Sequence, residues 1–501
     1  MPLYLRAKKL DFSSDSHPPI VVLREEEGGI FGIQIGDLVE LLIGGRKIIA
    51  RAFFSKQKVK TGQVGLFNEL WRKKKIKINN GDPVEIHQLS RPPSIQAIKK
   101  KLLGKPLTYK EIYSIIKDIV DHRLSRIDLT YFVASSFIKR YTDQELYFLT
   151  KAIAETGKEV TFSSKIVCDK HSVGGLAGNR TTMVVIPIVA SIGLTIPKTS
   201  SRAITSPSGT ADTMEVLAPV SFSTEKIKKI VKQTKACMVW GGGLDLAPAD
   251  DEIIHVSRPI SLEPYTKMLV SIMAKKVAMG ITHLVIDIPY GPTTKIPTRK
   301  DAIWVATKFR FLARKFGIKI KVVMTESRQP VGRGIGPALE ARDVLRVLQQ
   351  KEWRPKDLED KAIGLAGSIF ELTGTARRGT GNSLARDVLV SGKAYKKMKE
   401  IIRAQGGKTT VDSEDITLGV RRYRFHAGIS GIVRKVNNHH INDVARVLGA
   451  PYDKNAGIFL NKRIGNRCRV GDRLFTLYAS SPNRIKLAKK ALERLHIYSI
   501  K

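Results

Sequence analysis

Residues 160–196 read VTFSSKIVCDKHSVGGLAGNRTTMVVIPIVASIGLTI, and the reading of this stretch decides the fold. VTFSSKIVCDK reads as a strand that runs into a glycine-rich turn. The apolar run 183–196 that follows reads as a buried helix, with Pro187 inside it. Strand, glycine turn and helix in that order make half of an α/β unit. The turn from Asp169 to Thr182 also has the chemistry of an anion cradle. Its glycines let a backbone come close, its hydroxyls and amides donate hydrogen bonds, and Lys170 adds charge. By itself such a turn is often only a tight connection.

A second stretch, TSSRAITSPSGTADT (199–213), lies one helix further on. Eight of its fifteen residues are Ser or Thr, Arg202 is embedded, and Gly209 allows close approach. Together the two stretches form a pair of candidate anion cradles set between apolar helices.

Working outward, HLVIDIPYG and IKIKVVMTE read as buried strands and DAIWVATKFRFLARKFG as a crossover helix, so residues 161–247 and 281–409 are expected to form an α/β phosphate-binding domain with a mixed sheet. Residues 95–160 carry apolar faces at the helical period, with a capping box at Thr142 and Glu145, and are expected to form a helical domain. The segment from about 248 to 280 is expected to return to it. Residues 1–90 alternate at period two around turns at Gly44-Gly45 and Asn79-Asn80-Gly81-Asp82, which predicts an N-terminal β domain. Residues 410–501 mix short strands with helices, which predicts a C-terminal α+β domain. The fold class is therefore multidomain α/β.

The chain has 501 residues, enough for two to four domains. No apolar run reaches membrane-spanning length and no signal-peptide core opens the chain, so a cytoplasmic protein without membrane contact is expected. The three cysteines are far apart and form no CxxC, and no cluster has metal-ligand spacing. The net charge of +40 comes from 86 Lys and Arg against 46 Asp and Glu. That attracts polyanions. The basic residues are spread along the chain without a nucleic-acid motif, so no nucleic-acid polymer is expected as partner.

DKHSVGG, SSRAITSPSGTADTMEVL, LAPADD, LVSIMAKK and QPVGRGIGPALEARDVL resemble the motifs of the thymidine/pyrimidine-nucleoside phosphorylase family, and most closely those of its long branch, which includes AMP phosphorylases. The resemblance spans nearly the whole chain. It implies a helical domain, a larger α/β domain with the active site in the cleft between them, an N-terminal β domain and a C-terminal α+β domain. It implies phosphorolysis by a pentosyltransferase: phosphate attacks C1′ of a nucleoside or nucleotide with inversion, and the base leaves. Inorganic phosphate and a nucleoside or nucleoside monophosphate are the implied partners, and a homodimer or larger homo-oligomer the implied assembly. The resemblance implies no metal or organic cofactor.

Carried over by position, it implies that Lys170, Ser172, Thr181, Ser200 and Thr210 bind the attacking phosphate. Gly175, Ser201, Arg202, Ala203, Ile204, Thr205, Ser206 and Thr210 match positions that contact AMP. Arg258, Ser271 and Lys275 fall where the shorter enzymes hold the pyrimidine base, although the spacing from Arg258 to Ser271 departs from theirs. Ser271 and Lys295 match further AMP contacts. His171 is a candidate proton shuttle or a turn histidine. Glu263 stands where the long branch has an aspartic acid proton donor, and a carboxyl one methylene longer can still protonate a leaving base.

Two substrates remain open at this level. The similarity of 329–348 to bacterial members puts thymidine first, and the match at 201–206 with Lys295 makes AMP the alternative. Anthranilate phosphoribosyltransferase shares the helical-plus-α/β plan, but it lacks the C-terminal domain and uses magnesium-bound pyrophosphate, for which the sequence offers no acidic pair.

Overall fold

The computed structural model describes residues 2–14, 18–73, 77–89, 91–138, 140–203, 206–257 and 265–501. The chain divides into two compact units, Met1–Thr156 with Pro248–Lys267, and Gly157–Ala247 with Met268–Lys501.

The first unit opens with six strands: β1 (Leu3–Lys9), β2 (Ile20–Leu23), β3 (Leu38–Ile43), β4 (Arg46–Phe54), β5 (Gln63–Leu66) and β6 (Pro83–Gln88). A short helix, α1 (Glu25–Ile30), follows β2. The strands close into a barrel in the order β1-β5-β2-β4-β3-β6. Alternate residues such as Leu3, Leu5 and Ala7 of β1 and Val39, Leu41 and Ile43 of β3 fill the interior, as period-two pleating requires. Gly44 and Gly45, at φ of 53° and 73°, make the β3–β4 turn, a conformation that favours glycine twice in succession.

Four helices follow: α2 (Ser94–Leu102), α3 (Tyr109–Val120), α4 (Arg126–Ile138) and α5 (Asp143–Glu155). Thr108 with Glu111 and Thr142 with Glu145 cap α3 and α5 by reciprocal hydrogen bonds, satisfying amides that the helix itself cannot.

In the second unit β7 (Cys168–Ser172) leads into α6 (Thr181–Ser191), whose residues Thr181–Ala190 are all buried. A helix apolar all round can only sit inside a core. The apolar run 183–196 is not one helix: α6 stops at Ser191, Gly193 takes φ of 89°, and β8 (Ile196–Ser200) begins. Then come α7 (Thr210–Met214), α8 (Thr224–Thr234), β9 (Ala236–Trp240), α9 (Pro248–Ser257, in the first unit), α10 (Tyr265–Ala278), β10 (His283–Tyr290), α11 (Arg299–Lys315) and β11 (Lys319–Glu326). The ladders are β11-β10-β7 and β8-β9, with a bridge from Val167 to Thr195 between them. The expected mixed sheet is corrected here: among the described residues every ladder of this layer is parallel. Each strand hands over to helix before the next begins, so successive strands run the same way.

β12 (Gly334–Ile335) leaves this layer, and α12 (Pro337–Leu348), α13 (Lys356–Leu372), α14 (Gly381–Val390) and α15 (Lys393–Ala404) complete the helical packing. The last part holds β13 (Arg421–His426), β14 (Gly431–Val436), α16 (Asn438–Leu448), β15 (Gly457–Leu460), β16 (Arg467–Cys468), β17 (Arg473–Ala479), α17 (Pro482–Leu492) and β18 (Tyr498–Ile500). Its four-stranded antiparallel sheet runs β12-β15-β17-β13 and recruits β12 from the α/β part of the chain. Phe425 stacks on Phe475 at 4.7 Å in its core. The three cysteines are buried free thiols, and no helix among the described residues is long and apolar enough to cross a membrane.

Candidate active site

The parallel strands β7, β8 and β10 place charged side chains inside the α/β layer. Lys170, in the middle of β7, is fully buried. Its Nζ donates to Thr181 Oγ1 at 2.7 Å and to Thr182 Oγ1 at 3.2 Å, both in the first turn of α6. Asp169, next to it, is buried between Lys198 of β8 at 3.1 Å and Lys276 of α10 at 2.5 Å. Ser172, at the end of β7, donates its hydroxyl hydrogen to Asp287 Oδ2 of β10 at 2.5 Å. Asn179 Nδ2 donates to Ser172 Oγ at 3.0 Å, and Lys361 of α13 lies 3.1 Å from the same Asp287 oxygen.

The charge count has a consequence. Among the described residues Lys170, Lys198, Lys276 and Lys361 pair with or face two buried carboxylates, Asp169 and Asp287. Burial pushes the Lys170 amine down to about 7; Asp287 opposes that, while Lys361 and Lys198 add to it. Burial brings Lys198 to about 8, with Asp169 opposing and Lys276 adding. Both aspartates stay below the usual carboxylate range because their lysines outweigh the burial that would raise them. A side-chain cluster with more cations than carboxylates and hydroxyls beside them suits a small dianion.

His171 is half-buried, and its buried Nδ1 has no hydrogen-bond partner. Burial, then Lys198, Lys276, Lys170 and Lys275, hold it well below its ordinary range, so it is a neutral imidazole near pH 7. Ser200, at the end of β8, has a buried Oγ without a hydrogen-bond partner. Ser271 and Lys275 lie four residues apart on α10 and so share a face. The structure thus brings Lys170, His171, Ser172, Thr181 and Lys275 into one electrostatic neighbourhood.

The glycines of the first turn act against protein neighbours. Gly175 (φ 80°) would place a Cβ 2.7 Å from the Lys295 amide nitrogen, and Gly178 (φ 69°) would place one 2.3 Å from the Val331 carbonyl oxygen. The turn is therefore clamped between the Lys295 loop and the Val331 loop.

The second stretch differs from its expected cradle. Asp212, 2 % exposed at its side chain, accepts from the backbone N–H of Ala203 at 2.7 Å and of Gly209 at 2.8 Å. Arg202 forks onto Glu215 with two bonds of 2.6 Å, and Lys454 pairs with the same glutamate at 2.8 Å. The protein's own carboxylates occupy two of the amides, those of Ala203 and Gly209, and the Arg202 guanidinium. Arg180 ties the stretch down by pairing with Glu340 at 2.5 Å and donating to the Ser208 carbonyl; its NH1 lies 3.5 Å from Thr210 Oγ1. Ser201 is exposed, and Ser206 Oγ donates to the Ser208 carbonyl at 2.6 Å. Ile204, Thr205, Arg258 and Glu263 lie outside the described residues.

Asp169, Asn179, Lys198, Lys276, Asp287 and Lys361 were not among the sequence candidates. A charge in an otherwise apolar strand is a signal for one of them, Asp287 in HLVIDIPY. Lys361 sits on an ordinary amphipathic helix and carries no local signal. Among the described residues no group of three or more His, Cys, Asp or Glu could hold a metal ion.

Three family models match the chain: "Glycosyl transferase family, helical bundle domain" over residues 95–157, "Glycosyl transferase family, a/b domain" over 164–395, and "Pyrimidine nucleoside phosphorylase C-terminal domain" over 432–499. An AMP phosphorylase of Methanococcus maripaludis is 43% identical over 495 residues, 99% of this chain and 97% of that protein. Those of Thermofilum pendens and Pyrococcus furiosus are each 42% identical, over 98% and 95% of this chain and 93% and 94% of theirs. Among solved structures, anthranilate phosphoribosyltransferase from Thermus thermophilus superposes with a TM-score of 0.51 at 19% identity, over 62% of this chain and 99% of that one. That likeness shows the fold of the helical and α/β parts.

Proposed function

Since the chain belongs to the thymidine/pyrimidine-nucleoside phosphorylase family, in the long branch that includes AMP phosphorylases, and is an enzyme of the pentosyltransferase type, we propose that it catalyses phosphorolysis of a nucleoside 5′-monophosphate, with AMP as substrate, giving the free base and ribose 1,5-bisphosphate. The observation that carries this reading is the end-to-end match to proteins named AMP phosphorylase, domain for domain. It favours the nucleotide over thymidine, which the motif at 329–348 had put first.

In this reading the surplus of buried lysine holds the phosphate dianion. Lys170 supplies charge, and Ser172, Thr181, Ser200 and Thr210 supply hydroxyls. The phosphate oxygen attacks C1′ on the face opposite the base while the C1′–N bond breaks, and oxocarbenium character develops on the sugar. A nucleophile fixed beforehand saves the entropy of bringing it there. The proton balance closes: HPO4²⁻ loses its proton on forming the ester, and the departing base gains one. Glu263 is the proposed donor to the base, by the position it holds in the sequence. His171, neutral and half-buried, donates or accepts a hydrogen bond rather than supplying charge. Lys295, whose backbone lies against Gly175, is the proposed reader of the 5′-phosphate.

The test is base release with AMP, CMP, UMP, adenosine, uridine and thymidine, each with and without phosphate. Adenine release from AMP that depends on phosphate, with ribose 1,5-bisphosphate as co-product, supports the reading. Thymine release from thymidine with no reaction on AMP overturns it.

A further inference from the structure

Ser172 has one hydroxyl hydrogen, and in this structure that hydrogen is directed at Asp287. A phosphate dianion at this site needs the same hydrogen, since its oxygens mostly accept. If Ser172 turned to the phosphate, Asp287 would be left as a buried carboxylate short of a donor, a state that costs the desolvation of the charge. Its Oδ1 already lacks a hydrogen-bond partner. What remains to Asp287 is Asn179 Nδ2, at 3.4 Å, and Lys361 Nζ, at 3.1 Å.

Lys361 comes from α13, more than seventy residues beyond Asp287 in the chain. Its side chain is 11% exposed, and its Nζ makes no hydrogen bond beyond the ion-pair contact. It also lines a cavity of about 530 Å3 with Thr325, Gln329, Asp357 and Arg463, while its Nζ is buried against Asp287. Asp287 and Ser172 are register partners on adjacent parallel strands, which puts the carboxylate within reach of the hydroxyl.

We propose that Lys361 is a positioning residue for the attacking phosphate: by neutralising Asp287 it releases the Ser172 hydroxyl, which turns its hydrogen from the carboxylate to the phosphate. Ser172 exchanges one acceptor, Asp287, for another, the phosphate, and Asp287 is then left to Lys361. No bond is made or broken in this exchange; one hydroxyl rotates. The inference rests on the phosphorolysis reading for its purpose, but its effect on inorganic phosphate can be read without a nucleotide.

The experiment measures inorganic phosphate binding by calorimetry, and phosphate KM, nucleotide KM and kcat, for Lys361→Met, Lys361→Arg and the double variant Asp287→Asn with Lys361→Met. Lys361→Met should weaken phosphate about tenfold or more, with nucleotide KM within about twofold of wild type. Lys361→Arg keeps the charge and should stay within a few fold. The double variant removes the stranded carboxylate and should bind phosphate more tightly than Lys361→Met alone, the non-additivity expected of residues that act as a pair. Should Lys361→Met not fold, the double variant and Lys361→Arg carry the comparison with wild type, and a loss of phosphate affinity in both of more than tenfold overturns the proposal. Unchanged phosphate affinity in Lys361→Met, equal shifts in phosphate and nucleotide KM, or a double variant no better than the single one also overturns it. If wild type ignores AMP yet binds phosphate with this pattern, the substrate reading fails and the positioning role stands.

Discussion

Lys170→Met tests the phosphate site most directly, because it removes the charge and keeps most of the volume. Lys170 is fully buried and holds Thr181 and Thr182 by two hydrogen bonds. Loss of one preorganised donor to a reacting anion costs roughly 3 kcal/mol, about two orders of magnitude in rate. Lys198, Lys276 and Lys361 remain and keep part of the field, so the loss should fall at the lower end of the range of about 10² to 10³ seen for such donors. Stability should move the other way. The Lys170 amine titrates at about 7 in the folded protein, against an ordinary value of 10.5. Between those values the unfolded chain holds more protons than the folded one, so the contribution of this residue to stability rises with pH across that window. Without phosphate, Lys170→Met should therefore melt above wild type at pH 7, and the advantage should shrink as pH climbs toward 10. The assays are phosphate-dependent base release and thermal melting of both proteins from pH 7 to pH 10, with and without phosphate. Near-wild-type turnover, or a melting point for the variant below wild type at pH 7 in the absence of phosphate, would refute the reasoning.

Three further outcomes follow from the same geometry. Phosphate binding at pH 8 should take up protons, because Lys170 and Lys198, at about 7 and about 8 in the folded protein, regain charge beside a dianion; calorimetry in two buffers of different ionisation enthalpy reads this, and proton release would contradict it. Lys295→Ala should cut kcat/KM for AMP roughly ten- to a hundredfold while sparing any nucleoside turnover, the loss expected for a hydrogen bond to a charged group; equal losses on both substrates would leave Lys295 a structural role. Gly178→Ala should lower the melting temperature, since its φ of 69° alone costs about 1–3 kcal/mol in a residue with a side chain and its Cβ would meet a backbone oxygen at 2.3 Å; an unchanged melt would mean the Val331 loop yields freely.

The sequence by itself determined the elements and the position of the first turn. The glycine turn and α6 are local signals, residues that permit left-handed backbone and a helix apolar on every face; the strand read over 160–170 is displaced, since β7 spans Cys168–Ser172 and runs into the expected turn. The barrel hairpin at Gly44-Gly45 and the cap of α5 are equally local, since each depends on residues no more than four apart. Lys170, Ser172 and Thr181 could be named because they stand in or beside that turn. The run 183–196 read too long as a helix, because hydrophobicity alone does not separate a buried helix from a buried strand, and Gly193 marks the break. Tertiary structure decided who neutralises whom. Asp287 meets Ser172 across 115 residues, Lys361 meets Asp287 across more than seventy, and Lys454 reaches Asp212 across 242. The Ala203 and Gly209 amides of the hydroxyl-rich stretch looked open to a ligand in the sequence, yet both donate to Asp212 once the chain turns back on itself. Periodicity reports which side of a helix or strand is buried. It does not report which distant charge will be buried opposite, and in a low-dielectric interior that pairing sets the protonation of the site and the hydroxyls left to bind phosphate.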